Sequence, residues 1–285
     1  KFFEQAIAAA DLVMSSGKYD IVTDFRSLFG STKSTKDCIL YRTYDADKGV
    51  THSIASTCNM NDPTDVGPNL DLIKAFICTD GKDWQTSAVA NAADFTLSNL
   101  IKTRDARFEA SFYNKPTPRA KSCYLYVTKF IPRSALEYIE KGGSPAPEFQ
   151  GEKNVTGYPV IRYADVILMY AEALNQNGKT AEACKYLNMT RRRGFGYQTT
   201  ETSPVDLQTT DKAQFALMVE QERRVELAFE NHRWFDLIRT GRAVEVMRSK
   251  GFSLNETNLI CPIPQKQIDV NPKLTQNDYR IESRN

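Results

Sequence analysis

Apolar positions in this chain fall into three regimes. In residues 1–16, Phe3, Ile7, Ala10, Val13 and Met14 recur near i, i+3, i+4 spacing, and Gly17 follows where a helix would stop. This predicts an amphipathic helix over 1–16. From Asp20 to about Tyr113 the periodicity weakens under Asn, Asp, Thr, Ser, Gly and Pro, and only short alternating runs survive. CILYRTY (38–44) and THSIAST (51–57) flank the turn-forming DADKG and predict a hairpin; SCYLYVTKFI (122–131) is a further strand-like run before the Gly/Pro-rich loop GGSPAPEFQG (142–151). Helical spacing then returns. RYADVILMYAEALNQNG (162–178) and Lys179–Arg193 predict an αα-hairpin of tetratricopeptide-like length, and 211–240 reads as another long helical stretch. One such hairpin buries only one face, so the first helix, or segments upstream, must supply a stacking partner. Pro262, Pro264 and Pro272 punctuate an extended tail.

The expected fold class is therefore mainly α: a tetratricopeptide-like helical scaffold with a loop-rich lobe containing short β-hairpins. We read 1–285 as one domain, with 1–30 and 160–250 as scaffold, 30–150 as the ligand-facing lobe and 251–285 as the tail. At 285 residues the chain can bury roughly three-quarters of its unfolded surface without staples.

Charge narrows the partners. Lys and Arg number 37 against 35 Asp and Glu, interspersed, which gives no single-sign field to steer nucleic acid or an anionic membrane. The longest apolar runs, such as VILMYA (166–171), stop far short of the ~20 residues a membrane helix needs. The N-terminal stretch is basic and then apolar, but Glu4 and Asp11 interrupt it, so it reads as a folded helix rather than a signal peptide. With no initiator Met, the chain is expected to begin inside a domain, any targeting segment lying upstream. The six cysteines, Cys38, Cys58, Cys78, Cys123, Cys184 and Cys261, form no CxxC pair and are expected to be mostly free thiols.

Catalytic chemistry finds little material. The sequence holds no phosphate loop, GxSxG or HExxH, and its only histidines are His52 and His232. The carboxylate pairs Asp45/Asp47, Asp62/Asp65 and Asp80/Asp83 fit turn-capping better than glycoside hydrolysis. Asp45-x-Asp47-x-Gly49 resembles the start of a calcium loop but lacks the other oxygen ligands, so no cofactor is expected. The densest charge lies in ERRVELAFENHRWFDLIRTG (222–241). There Glu222 faces Glu226 at i+4, a repulsive pairing unless arginines compensate. Interleaved Leu227, Phe229 and Trp234 mark this as a structural ion-pair network of Glu222, Arg223, Glu226, Arg233 and Asp236, with Arg223, Glu226 and Arg233 expected to pair.

These stretches also carry a resemblance. YPVIRYADVILMYAEALNQNG (158–178), LNMTRRRG (187–194), the 222–241 segment, CPIPQKQID (261–269) and NPKLTQND (271–278) are similar, in order and spacing, to the C-terminal signature of the SusD/RagB family. AADLVMSSGKYDIVTDFRSLF (9–29), PNLDLIKAFICTDGK (68–82) and TRDARFEASFY (103–113) agree more loosely, the last through an Asp-x-Arg stretch. Members of that family carry a signal peptide, a lipidated Cys and early helical repeats that are not in this sequence, and none of the six cysteines here lies in a lipobox-like context.

The resemblance implies a non-enzymatic lipoprotein on the outer face of the outer membrane of Bacteroidetes-type bacteria. It would bind oligosaccharide and act as a lid on a TonB-dependent SusC-like transporter, with membrane contact only through an N-terminal lipid anchor not present in this chain. A peptide-binding member of the family is one alternative, and a tetratricopeptide-type protein adaptor another. Near-zero net charge suggests a neutral glycan. Sugar recognition needs aromatic faces and planar polar groups, and chemistry alone selects Trp84 with Asp83 in GKDWQTS, and Tyr44, His52 and Tyr113 near turns. The signature motifs themselves fit packing and ion pairing rather than ligand contact.

Overall fold

The computed structural model describes residues 1–57, 67–113, 125–132, 135 and 150–277. It divides into two compact units, Lys1–Ala228 and Phe229–Asn285.

In the first unit, helix α1 (Phe2–Ser15) ends at Ser16, and Gly17 leaves it with φ 63°. Strand β1 (Cys38–Arg42), helices α2 (Leu70–Ala75), α3 (Leu97–Thr103) and α4 (Ala106–Ser111), and strands β2 (Phe112–Tyr113), β3 (Tyr126–Val127) and β4 (Tyr158–Arg162) follow. Helices α5 (Tyr163–Gln176), α6 (Thr180–Gly194) and α7 (Lys212–Glu226) then form the scaffold. Helices α5 and α6 are the expected hairpin, with α1 laid on α5 and α7 across both. Their shared core runs through Ala10, Leu168, Ala171, Leu174, Leu187 and Phe215, with Ile7, Val13 and Met14 of α1 against it. The stacking partner that one repeat lacks is thus supplied from both ends of the unit. Polar side chains pin the helix ends. Asn175 donates to the Lys212 carbonyl and accepts from Thr180, while Asp211 caps α7 through the amides of Ala213 and Gln214.

Two expectations change. Asp45 and Val50 do bridge across DADKG, but β1 does not pair with 51–57; it pairs antiparallel with β4, more than a hundred residues on. Residue 52 instead bridges Asn154. The half-buried strand needed a partner beside the scaffold, and β4 leads directly into α5. The long stretch at 211–240 is also two helices, α7 and, in the second unit, α8 (His232–Arg239). Phe229 and Asn231 take φ 65° and 66°, a left-handed backbone that a right-handed helix does not contain. Most of the loop at 142–151, and Cys58 and Cys123, lie outside the described residues; Cys38, Cys78, Cys184 and Cys261 are free thiols.

The second unit adds α9 (Ala243–Ser249), and the tail expected to be extended holds a 3-10 turn (Glu256–Leu259) and, after Pro264, α10 (Gln265–Val270). There Gln276 spans Ile263 through both its amide groups, and Asn277 donates to the Cys261 carbonyl. Among the described residues no helix is long and apolar enough to cross a membrane.

At the centre of the first unit is a network of buried charges. Glu226, fully buried, accepts from Arg107 Nη1 at 3.2 Å, from Arg162 Nη2 at 3.0 Å and from Arg193. Arg107 also binds Glu222 at 2.5 Å and Asp105 at 3.0 Å, and Arg162 binds Asp37 at 2.7 Å. Arg223 pairs with Asp165 of α5 at 2.7 Å, not with Glu226. The Asp-x-Arg spacing has a local cause. Asp105 caps α4 by accepting the Arg107 amide, and the same carboxylate takes the Arg107 guanidinium. Asp37 does likewise for α5, accepting from Arg162 and from the Ala164 amide.

The run RRRG (191–194) assigns each residue a different task. Arg191 reaches the carbonyls of Val205 and Gly81, Arg192 binds Asp206, and Arg193 binds Glu226 and the Val22 carbonyl. Gly194 leaves room for Arg107, since a Cβ there would lie 2.5 Å from its Nε.

Burial alone would raise the Glu226 pKa, but Arg193, Arg162 and Arg107 hold it well below the usual carboxylate range. Because the folded value is depressed, this stability is present above the ordinary glutamate value of 4.5 and is lost as pH falls below it toward the folded value. Glu226→Gln should cost on the order of 3–5 kcal/mol at neutral pH, and urea denaturation should show a flatter loss of stability below pH 4.5 than in the wild type. Gly194→Ala would normally gain about 1 kcal/mol in a helix. Here the clash with a buried, fully engaged Arg107 should reverse the sign, for a net loss of about 2 kcal/mol by the same measurement.

Candidate ligand-binding site

The loop carrying Trp84 is anchored at its base and braced across its tip. Residues 77–79 pair with 103–105 through the Thr79 to Thr103 and Asp105 to Ile77 hydrogen bonds and the Cys78–Arg104 bridge. At the tip, Asp80 accepts from the Ser87 hydroxyl and from the amides of Ala88 and Lys82, while the amides of Thr86 and Ser87 close a turn on the Asp83 carbonyl. Two contacts tie the segment to the scaffold: Arg191 of α6 donates to the Gly81 carbonyl, and Gln221 of α7 donates to that of Ala75. The Asp83 side chain is exposed.

Trp84 is half-buried and packs edge-on to Phe95, ring centroids 5.2 Å apart. The Lys74 ammonium stands 5.5 Å from the Trp84 centroid and 5.7 Å from that of Phe95, and the Arg104 guanidinium lies 5.5 Å from Phe95. Phe95, Lys74 and Arg104 escaped the sequence reading. They sit in three separate segments with no shared periodicity, Lys74 on α2, Phe95 in a loop and Arg104 just after α3. Their one legible signal was aromatic and basic residue type in a polar stretch.

Tyr44 and His52 do come together. Their rings are 4.4 Å apart and edge-on, with Arg42 over the Tyr44 ring at 5.1 Å. His52 Nδ1 accepts from the Ile54 amide, so Nε2 carries the proton and donates to the Thr156 carbonyl at 2.8 Å. Tyr113 pairs by its backbone with Tyr126, and its side chain lies outside what the structure describes. The Asp45 carboxylate is taken by the Asp47 and Lys48 amides and by the Lys48 ammonium at 2.7 Å, so the incipient calcium loop is a capped turn with its own cation. Asp62 and Asp65 lie outside the described residues. Of the charged residues read as a network, Glu222, Arg223 and Glu226 lie buried in the first unit. Arg233 and Asp236 belong to the second, where Asp236 is buried and accepts from Arg239.

Both aromatic groups stand in the loop-rich part, and the charge network stands in the scaffold, a division that comparison with known proteins places in context. Residues 118–279, more than half of the chain, match the SusD family model. The chain belongs to the SusD family. It is 39% identical over 123 residues to the SusD-like protein P38 of Formosa agariphila, covering 43% of this chain and 24% of that protein. To the SusD-like protein P25 of the same bacterium it is 35% identical over 126 residues, covering 42% and 23%. These alignments span only about a quarter of the curated relatives.

Among solved structures, the fold is similar to a SusD-like protein of Bacteroides fragilis, with TM-score 0.70 and 21% identity over 96% of this chain and 61% of that one. It is also similar to a SusD-like carbohydrate-binding protein of that species (TM-score 0.66, 24% identity, 86% and 50% covered). A third is surface glycan-binding protein A from Bacteroides uniformis (TM-score 0.62, 20% identity, 98% and 57% covered). The helical scaffold with a small sheet is thus a SusD-family architecture.

Burial lowers the His52 pKa, the Thr156 hydrogen bond opposes this, and Arg42 adds to the lowering. Its neutral form is therefore favoured by folding, a contribution present above the ordinary value of 6.5 and lost as pH falls through the lower folded value. With two histidines in the chain, an NMR titration should show one titrating below 6.5 as the Nε2–H tautomer, and should lose that signature in His52→Gln.

Proposed function

We propose that this chain binds oligosaccharide at the cell surface without cleaving it, through the aromatic groups of the loop-rich part, and delivers it to a TonB-dependent SusC-like transporter of the outer membrane. The observation that carries the reading is Trp84, a half-buried indole held on a braced loop. It offers an apolar face to a pyranose ring beside polar side chains. Membership in the SusD family supports the same reading, as do solved relatives described as carbohydrate-binding and glycan-binding.

Of the carboxylates weighed for hydrolysis, Asp45 and Asp80 cap turns, and the charge-network carboxylates Glu222 and Glu226 are buried among arginines. A bound glycosidic bond would meet no free acid and base pair among these four. Tyr44 with His52 forms a second aromatic surface for the same role.

Calorimetric titration with pools of oligosaccharides should give binding without new reducing ends. Trp84→Ala should weaken it by about ten-fold, the equivalent of losing ~1–2 kcal/mol of aromatic contact. Heat with a peptide mixture and none with any glycan would overturn the assignment.

A further inference from the structure

The whole-chain charge of +2 suggested a neutral ligand, but the ammonium beside Trp84 stands in no ion pair among the described residues. The Lys74 ammonium faces two aromatic rings, and among the described residues it joins no ion pair, although Asp71 stands one turn before it on α2. Aromatic faces attract a cation through their quadrupole but supply no lone pair to its three N–H donors.

A second cation lies over the same Phe95 ring. Arg104 is buried, donates only to the neutral oxygens of Thr103 and Ala92, and its Nε has no hydrogen-bond partner. The carboxylate next to it in sequence, Asp105, is taken by Arg107. Asp80 is likewise engaged by Ser87 and backbone amides. Two cations thus share one phenyl ring, at 5.7 and 5.5 Å, with neither in an ion pair. Lys74, half-buried over the Trp84 ring, is the one that solvent reaches.

We infer that the Trp84 site takes an acidic sugar residue, with Lys74 binding its anionic group, carboxylate or sulfate ester, while the ring packs on the indole. The anion would supply the acceptor that the Lys74 ammonium lacks. In this half-buried setting the resulting charge-assisted hydrogen bond is stronger than one between neutral groups.

The inference rests on the oligosaccharide reading, and the test separates the two. Wild type, Lys74→Gln and Lys74→Arg are titrated calorimetrically with a pool of uronate-containing oligosaccharides and a pool of sulfated ones. Each pool is measured before and after carboxyl reduction or desulfation, beside a neutral pool. Removing the anionic group should weaken wild-type binding of one pool by about ten-fold. Lys74→Gln should erase that preference and Lys74→Arg retain it, with thermal melts unchanged in both. Loss on carboxyl reduction identifies a uronate, and loss on desulfation a sulfate ester.

A preference that survives in Lys74→Gln would overturn the role of Lys74. Trp84-dependent binding of the neutral pool, with acidic pools no tighter, would overturn the inference and leave the oligosaccharide reading standing. Absence of binding to every pool would remove both.

Discussion

One carboxylate organises the first unit. Glu226 accepts from arginines on α4, β4 and α6 while itself sitting on α7, so four segments distant in sequence meet at one pair of oxygens. Each of these charges loses its water on burial, a cost of several kcal/mol per ion that only close, well-aligned partners offset. The arginines gain further support from aromatic faces: Arg162 lies 5.3 Å from Phe29, and Arg193 lies 4.9 Å from Phe25. A network built this way admits few other arrangements in which every member finds a partner, and so it restricts how the loop-rich part can sit on the helices.

That restriction reaches the candidate site through short links. Asp105 belongs to the charge network and also closes the base of the Trp84 loop, its amide bonded to the Ile77 carbonyl. Arg191, itself paired with Glu222 at 3.9 Å, holds Gly81, and Gln221, next to Glu222, holds Ala75. The loop is therefore irregular in conformation but tied at both ends to the most completely buried part of the molecule. An aromatic platform benefits from such fixing, because a preorganised site loses less conformational entropy on binding.

The charge distribution has two levels. Opposite charges cancel across the chain and pair off in the core, where Arg107, with burial opposing, is held firmly charged by Asp105, Glu222 and Glu226. Beside Phe95, Arg104 joins no ion pair, because the Asp105 carboxylate is bonded to Arg107. A net charge summed over residues is blind to which carboxylate serves which cation, so it is a poor guide to the ligand.

What the sequence determined by itself was the local order: the α1 helix, the α5–α6 hairpin, the helical start at 211, and the polar, aromatic-bearing character of 30–113. Hydrophobic spacing reports which face of a helix turns inward, and that is a property of a few neighbouring residues. It also showed that Glu222 and Glu226 needed arginines, because like charges at i+4 repel. Which arginines answered was decided only in three dimensions. Arg223, the nearest in sequence, turned to Asp165, and the carboxylates were met by Arg107, Arg162, Arg191 and Arg193. The same holds for β1, whose partner is β4 and not the adjacent run, and for Phe95 and Lys74 beside Trp84. Pairing between distant segments depends on how the whole chain closes, and no local pattern carries that information.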